Sequence, residues 1–333
     1  MKPLVDLHLH LDGSLRIKTM LDIAVRERVK LPATDARGLK RALRVGKIRA
    51  SLADYLTAFP ITLAVLQSRY AIERAVAELL QDCAAEGLKY VEIRFSPLLH
   101  MEAGLTAPEA VEAALRGVER GNAYGIRANL ILCSLRHFDP RDSMTIALLA
   151  HAYRNPRGGV VAVDLAGNDA LDCREHSRAF RWAKERGLGV TIHAAESGPP
   201  ERIREALTLF GADRIGHAVR AAEDPMTLFL MATYGTAIEV CLTSNVQTRT
   251  VESYATHPAR DYYKRGLRVT LNTDNRLLAD TTLYYEYSMA ALHWWEIERA
   301  DTRALQCNAI EAAFAPPDWK VELYQALDAP PNP

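Results

Sequence analysis

The chain has 333 residues, of which 25% are charged, and its 41 Lys and Arg residues balance 41 Asp and Glu residues. This balance, with no block of like charge, argues against nucleic acid or a membrane surface as a partner, and we expect a small neutral ligand. The length suffices for a full core, so we take residues 1–333 as a single barrel-sized domain.

Short apolar or β-branched runs alternate with helix-like segments along the chain. Eight such runs are present, at residues 4–9, 89–95, 127–133, 160–165, 189–193, 213–217, 236–241 and 268–272. The helix-like segments follow recognised start and stop signals, as at 108–124, with Pro108 near its start, and at 172–186, which ends before Gly187. The alternation predicts parallel strands, and eight units predict an α/β fold, the closed (β/α)8 TIM barrel.

Extra helices are expected after strand 1 and at the C-terminus. Residues 15–87 form a helical insertion with helix-like segments at 15–28 and 51–87, and long insertions often form lids. Leu56, Phe59 and Leu63 recur at helical spacing and predict one apolar stripe, which either packs in the core or covers the substrate. Further helices are predicted at 283–298, 302–313 and 317–327, before a flexible tail at 329–333.

The cysteines and the N-terminal residues indicate the cellular compartment in which the protein acts. Five cysteines, Cys83, Cys133, Cys173, Cys241 and Cys307, are widely spaced and mostly embedded in apolar runs. They form no CxxC pair, which predicts reduced thiols rather than a disulfide framework. We find no room for a signal peptide before the first strand and no apolar stretch of roughly 20 residues, so we expect a cytoplasmic enzyme.

Histidines and an aspartate lie where the strand-like runs end. His8 and His10 end strand 1, and their spacing of two residues points both imidazoles to one face. His193 ends strand 5, His217 ends strand 6, and Asp274 follows strand 8. Taken alone, a histidine at a strand end more often has a structural role, and an Asp there is more often solvated. Because the catalytic groups of such barrels come from the C-terminal ends of strands, we predict that the five share one site.

A set of three His and one Asp suits zinc, although iron or cobalt could bind the same atoms. A catalytic site leaves one position for water, whose pKa zinc lowers from about 16 towards about 7. Glu196, three residues after His193, is placed to act as a general acid with a raised pKa. The alternative for Glu196 is a hydrogen bond that orients His193.

Seven segments resemble the adenosine deaminase family of the amidohydrolase superfamily. They are DLHLHLDG at 6–13, YVEIRFSP at 90–97, DLAG at 164–167, HAAE at 193–196, GH at 216–217, CLTSN at 241–245 and LNTD at 271–274. One HxH motif alone is weak support for this resemblance. Seven segments in this order, over nearly the whole chain, are strong support for it.

The resemblance implies a ligand set for Zn²⁺, one ion per chain. By position, the ligands are His8, His10, His193 and Asp274. Glu196 is then the acid that protonates N1 of the purine. His217 lies close to the oxygen that attacks C6, where it either takes up a proton or stabilises charge.

The resemblance also implies contacts to a purine nucleoside, with His10 beside the substrate, Asp12 at the ribose 5'-hydroxyl and the Gly167 N–H at purine N3. An Asp at position 12 favours a nucleoside, because adenine deaminases of the superfamily tend to carry Glu there. Alternatively, Asp12 caps a helix that begins near Ser14. Where the family commonly reads Thr-Asp-Asp, this chain has Asn275, whose amide can donate directly to N7.

Other residues have less definite assignments. Arg94 and Ser96 follow strand 2 and either orient the ligands or, for Arg94, face solvent. His293, Trp294 and Trp295 fit burial or a subunit contact better than catalysis.

The implied reaction is zinc-dependent hydrolytic deamination of adenosine and 2'-deoxyadenosine to inosine and 2'-deoxyinosine plus ammonia. The same chemistry on a 5'-modified adenosine, such as the menaquinone precursor 6-aminodeoxyfutalosine, is the main alternative, and adenine deamination ranks below it. Another metal hydrolase would normally use a bridging Lys, which the end of strand 4 lacks. A non-catalytic purine-binding protein would not need the intact ligand set. The sequence leaves the oligomeric state open.

Overall fold

The computed structural model describes residues 4–294 and 299–329. Within them, eight parallel strands form one sheet in which each strand pairs with the next along the chain. They are β1 (Val5–His10), β2 (Tyr90–Phe95), β3 (Arg127–Leu135), β4 (Val160–Ala166), β5 (Gly189–Ala194), β6 (Arg214–His217), β7 (Ala237–Val240) and β8 (Arg268–Leu271). All eight predicted strands are confirmed.

The barrel closes where β8 meets β1. The backbone N–H of His10 donates to the carbonyl of Asp274, and the N–H of Asp274 donates to the carbonyl of His8, both at 2.8 Å. A parallel bridge also joins Leu9 to Asp274. The predicted (β/α)8 TIM barrel is confirmed, and the hydrogen bonds that close it join two strand ends that carry predicted metal ligands.

Helices surround this barrel and precede or follow each strand. They are α1 (Ile17–Glu27), α2 (Ala36–Leu43), α3 (Leu52–Leu56), α4 (Phe59–Leu63), α5 (Arg69–Glu86), α6 (Ala107–Gly121), α7 (Pro140–Ala152), α8 (Ser177–Glu185), α9 (Glu201–Glu205), α10 (Pro225–Tyr234), α11 (Leu242–Gln247), α12 (Ala259–Lys264), α13 (Arg276–Ala279), α14 (Leu283–His293), α15 (Arg299–Ala312) and α16 (Pro317–Asp328). The start of α6 shows why the predicted boundaries hold. The Thr106 side chain accepts from the Glu109 N–H, and the Glu109 side chain accepts from the Thr106 N–H.

The long connection after β1 contains α1 to α5. Its last helix, α5, packs along α6, so it belongs to the outer ring of the barrel rather than to a lid. The prediction that Leu56, Phe59 and Leu63 share one helix is wrong, because α3 ends at Leu56 and α4 begins at Phe59. Both residues between them keep αR backbone angles, but the hydrogen-bonded helix is interrupted there.

The C-terminal helices cover the N-terminal end of the barrel. Leu4 and Leu7 pack there with Ile310, Leu323 and Leu327 in a second apolar cluster. That end is therefore closed by side chains, and a site open to solvent is left to the C-terminal end of the strands.

Several smaller predictions can be compared with the described residues. Trp294 is fully buried and its Nε1 donates to the carbonyl of Tyr254 at 3.2 Å, while His293 stacks on the Tyr254 ring. Trp295 and residues 330–333 of the predicted tail lie outside the described ranges. All five cysteines are free thiols, as predicted, and only Cys307 is partly exposed. None of the described helices combines the length and apolar composition needed to cross a bilayer.

Candidate active site

Three histidines and one aspartate converge at the C-terminal end of the barrel. His10 Nε2 lies 3.2 Å from His193 Nε2. Asp274 Oδ1 lies 3.5 Å from Nε2 of both His8 and His10. The structure therefore brings together the four residues predicted as metal ligands.

The atoms these residues present fit a metal ion. His8 Nε2 is buried and has no hydrogen-bond partner among the described residues. Burial lowers the pKa of His193, and it lowers the pKa of His10 well below its usual range, so both rings favour the neutral form. At least two ring nitrogens thus turn lone pairs toward the same small space. A cation satisfies them, and nitrogen with carboxylate oxygen is the donor set of a borderline divalent metal.

Two buried carboxylates orient the histidine rings. Glu239 Oε2 lies 2.8 Å from His8 Nδ1, and Asp164 Oδ1 lies 3.1 Å from His193 Nδ1. Each carboxylate accepts a hydrogen bond from the Nδ1–H of its histidine. The Nε2 atom of that ring then carries no proton and is free to bind a metal. Arg94 donates to both carboxylates, to Asp164 Oδ2 at 3.2 Å and to Glu239 Oε2 at 2.9 Å.

Arg94 is fully buried, so of the two interpretations the alternative, that it faces solvent, is wrong. Sequence reasoning assigned no role to Glu239 or Asp164. The available signal was a charged residue within an otherwise apolar strand, since each lies in a fully buried strand, β7 and β4.

Left-handed backbone angles are concentrated at the site. Ala195, His217, Ala218 and Asp274 adopt left-handed φ angles of 52°, 65°, 52° and 59°. Non-glycine residues rarely hold such angles unless the surrounding structure imposes them, and they cluster at functional sites. Ser244, which the sequence reasoning did not assign, donates its hydroxyl to Asp274 Oδ2 at 2.6 Å and holds that carboxylate in place.

Glu196 lies in the loop after β5, and Asp169 shapes that loop. Asp169 accepts the backbone N–H groups of Glu196 and Gly198, each at 2.7 Å. The backbone carbonyl oxygen of Asp169 would lie 2.2 Å from a Cβ atom at position 198, so only glycine fits at that position. Burial, together with the charges of Asp169 and Asp274, raises the pKa of Glu196 well above its usual range and favours the protonated acid.

The carboxyl of Glu196 contacts Asn245, Thr248 and His217. Its Oε1 lies 3.3 Å from Asn245 Nδ2 and 3.4 Å from Thr248 Oγ1, while Oε2 lies 3.7 Å from His217 Nε2. These contacts differ from the alternative expectation of a bond to His193. They place a neutral acid and a second imidazole side by side.

His217 is the fifth predicted site residue that the structure brings to the cluster. Its ring centre is 4.9 Å from that of His8 and 5.3 Å from that of His193. Ligand atoms of these three histidines also lie within 4.8 Å of one another, which makes a second candidate metal set. Burial lowers the pKa of His217 well below its usual range, so the ring is neutral.

A cavity of about 400 Å³ opens beside the cluster. Its walls include Asp12, Gly167 and Asn275 on one side and Leu56, Phe59 and Leu63 of α3 and α4 on another. This volume suits a small organic ligand. Two larger cavities, of about 560 and 500 Å³, lie at the opposite end of the barrel and contain none of the predicted site residues.

Four residues that line this cavity have a buried polar side-chain atom without a partner in the described part of the chain: Asp12 Oδ1, Tyr55 Oη, Ser96 Oγ and Asn275 Oδ1. The interpretation of Asp12 as a helix cap is wrong, because α1 begins only after Arg16. The Asn275 Oδ1 atom lies 1.8 Å from where a Cβ on Gly13 would be, so glycine is required for the amide to fit. Nδ2 is then the amide atom turned away from Gly13.

The family described as Adenosine deaminase matches residues 3–330 of the chain. A protein named adenosine deaminase from Clostridium acetobutylicum is 40% identical over 329 residues, covering 98% of this chain and 97% of that protein. One of the same name from Haemophilus ducreyi is 40% identical over 315 residues, covering 93% and 91%.

Solved structures of similar proteins share the barrel. An adenine deaminase from Arthrobacter aurescens has a TM-score of 0.90 at 24% identity and covers 98% of each chain. The N6-mAMP deaminase of Arabidopsis has a TM-score of 0.87 at 26% identity, covering 98% of this chain and 97% of that one.

Proposed function

Because the chain belongs to the adenosine deaminase family, we propose that its site hydrolyses the 6-amino group of adenosine and 2'-deoxyadenosine, giving inosine and 2'-deoxyinosine plus ammonia. The chain is a hydrolase that acts on carbon–nitrogen bonds, and adenosine deamination is the activity named for its relatives at 36–40% identity. The observation that carries the proposal is the buried carboxyl of Glu196 beside a cluster of histidine ring nitrogens at the C-terminal end of the barrel.

We assign His8, His10, His193 and Asp274 as the ligands of one Zn²⁺ per chain. The unpartnered His8 Nε2 and the facing nitrogens of His10 and His193 support this assignment. Bound zinc lowers the pKa of water and so supplies a nucleophile at neutral pH. Iron or cobalt would suit the same donor atoms, and metal analysis decides among them.

Glu196 is the general acid in this proposal. Attack at C6 moves electron density onto N1 of the purine, and a proton delivered to N1 stabilises that density. The carboxyl of Glu196 holds such a proton, since burial keeps it neutral. His217, next to Glu196, contacts the attacking oxygen.

The polar atoms of the cavity wall are assigned to the nucleoside. Asp12 Oδ1, which is buried and unpartnered, accepts a hydrogen bond from the ribose 5'-hydroxyl. Asn275 Nδ2 donates to purine N7, and the backbone N–H of Gly167 donates to N3. His10 contributes a further contact to the substrate from the metal side.

The composition of the cavity wall favours adenosine over adenosines with an acidic 5' substituent. The described residues that line the cavity include four histidines but neither Lys nor Arg. A 5' group that carries a carboxylate, as in 6-aminodeoxyfutalosine, would find no Lys or Arg to pair with in this wall. The free 5'-hydroxyl of adenosine needs only Asp12.

Three further assignments complete the proposal. Residues 1–333 act as one domain, and within the insertion at 15–87 the helices α3 and α4 cover the substrate through Leu56, Phe59 and Leu63. The enzyme acts in the cytoplasm, for which the free thiols are typical.

The test is kcat/KM of the zinc-loaded enzyme, followed by ultraviolet absorbance, on adenosine, 2'-deoxyadenosine, adenine and 6-aminodeoxyfutalosine in parallel. We expect the two nucleosides to be turned over and adenine to react poorly. A preference for 6-aminodeoxyfutalosine would overturn the substrate assignment and leave the chemistry intact. Turnover of none of the four would overturn the proposed function.

A further inference from the structure

One amide, that of Asn245, lies between the two side chains assigned to proton chemistry. Its Nδ2 is 3.3 Å from Glu196 Oε1 and 3.1 Å from His217 Nδ1. Its Oδ1 is 3.2 Å from Nε2 of His257. Asn245 is completely buried, and so are nearly all atoms of its three partners. Because water does not compete there, each contact must match a donor with an acceptor.

The direction of these hydrogen bonds can be worked out from a backbone N–H, which is always a donor. The N–H of Ala259 donates to Nδ1 of His257 at 3.1 Å. Burial lowers the pKa of His257 to about 3, so the ring is neutral and carries a single proton. Since Nδ1 accepts, that proton is on Nε2. His257 therefore donates to Asn245.

This donor settles the orientation of the Asn245 amide. The atom that faces His257 Nε2 must be the oxygen, because a reversed amide would point an N–H at another N–H. The nitrogen of Asn245 consequently faces Glu196 and His217 and donates one proton to each.

The Asn245 amide also fixes where its two partners carry their protons. His217 accepts at Nδ1, so its ring proton is on Nε2, the nitrogen that faces Glu196 Oε2. Glu196 accepts at Oε1 from the Asn245 amide, so a proton on this carboxyl is on Oε2.

We propose that Asn245, held by His257, is a positioning residue that places the His217 proton on Nε2 and the Glu196 proton on Oε2. This inference rests on the proposed function for what the two protons do there. His217 then meets the attacking oxygen as a hydrogen-bond donor, and Glu196 presents its proton to N1. A protonated Nε2 also removes His217 from the second candidate metal set, which leaves Asp274 and the other three histidines as the ligands.

The direct test is the position of the ring proton of His217, read from two-bond nitrogen–proton correlation spectra of metal-loaded enzyme with labelled histidine. The His217→Ala variant identifies the signals. We expect a protonated Nε2 and a bare Nδ1 in the wild type. The opposite pattern in the wild type would overturn the proposal without any variant having to fold.

Asn245→Asp tests whether the amide is the cause. A carboxylate cannot donate to Nδ1, so we expect the proton of His217 to move to Nδ1 and kcat for adenosine to fall by about 10- to 100-fold, the usual loss for a residue that orients a catalytic group. KM should change much less. A variant that keeps the proton on Nε2 would contradict the proposal.

His257 offers a matched pair. His257→Gln places an amide donor near the position of Nε2 and should keep the wild-type proton pattern and most of kcat. His257→Leu should lose both the proton pattern and most of kcat. Equal loss in the two variants would mean that His257 acts only by packing. If the wild type showed Nε2–H but did not deaminate adenosine, the proposed function would fail while the placement of the protons stood.

Discussion

The Arg94 guanidinium lies 2.9 Å from Glu239 Oε2, the same oxygen that is 2.8 Å from His8 Nδ1. A buried cation and a candidate metal ligand therefore share one carboxylate oxygen. The cation keeps this carboxylate ionised in the barrel interior, and an ionised carboxylate is the better acceptor for the histidine proton.

Arg94→Met should lower both stability and metal affinity. Removing the cation leaves Asp164 buried without its arginine partner and Glu239 with Arg214 alone, which costs about 3–5 kcal/mol of the free energy of unfolding. Urea denaturation measures this loss. Arg141→Met is the matched control, because Arg141 pairs with Asp139 on the exposed surface, and its stability should not change. An Arg94 variant within about 1 kcal/mol of the wild type would contradict the role of the cation.

His8→Ala should lose the metal. This variant removes the ring nitrogen that is buried without a partner, and elemental analysis of the purified protein gives the metal content per chain. His137→Ala is the control, since His137 lines the same cavity but is exposed, and it should stay fully loaded. Full loading of the His8 variant would show that the ligand assignment is wrong.

Glu196→Gln should retain metal and nucleoside binding but lose most turnover. Gln keeps the size and an acceptor for the Asn245 amide but has no acid proton, and a general acid contributes about 10²- to 10⁴-fold to the rate. Single-turnover kinetics and calorimetric titration with inosine separate the two effects. Near-normal kcat would remove Glu196 from the mechanism.

Phe59→Ala should raise KM for adenosine more than it lowers kcat. Phe59 lines the cavity from α4, away from the proposed proton donors, so its loss removes apolar contact with the nucleoside. Thr57→Ala, at an exposed position between the same two helices, should leave both constants unchanged. If the Phe59 variant kept the wild-type KM, α3 and α4 would not cover the substrate.

Glu286 should make stability depend on pH. Burial raises its pKa from 4.5 to about 7 in the folded protein. The folded state thus holds the proton more tightly than the unfolded chain, and the stabilisation present below pH 4.5 is lost as pH rises to about 7. The size of this pKa change corresponds to about 3 kcal/mol.

Glu286→Gln isolates this effect. Gln retains an acceptor for the Thr243 N–H, and its amide can pair with the Thr281 hydroxyl, which donates to Oε1 of Glu286 in the wild type. Unfolding by urea at pH 5 and at pH 8 should therefore show a smaller loss of stability in the variant than in the wild type. Parallel pH profiles for the two proteins would show that Glu286 does not titrate in this range.

Local patterns in the sequence were enough to identify the strands and the candidate metal ligands. Apolar runs of strand length recur between capped helices, so each strand can be recognised without its neighbours. The spacing of His8 and His10 and the segments shared with the adenosine deaminase family then identify the side chains at the strand ends. These features are properties of short stretches of chain, which is why the sequence by itself determined them.

The partners of those side chains depended on the tertiary structure. Glu239 is 231 residues away from His8, and Asn245 is 49 residues from Glu196, so no local pattern connects them. The burial of Arg94, the break between α3 and α4 and the direction of the Asn245 amide likewise follow from packing. Hydrogen-bond direction in a dry interior is set by all the neighbours together, and only the folded barrel brings those neighbours into contact.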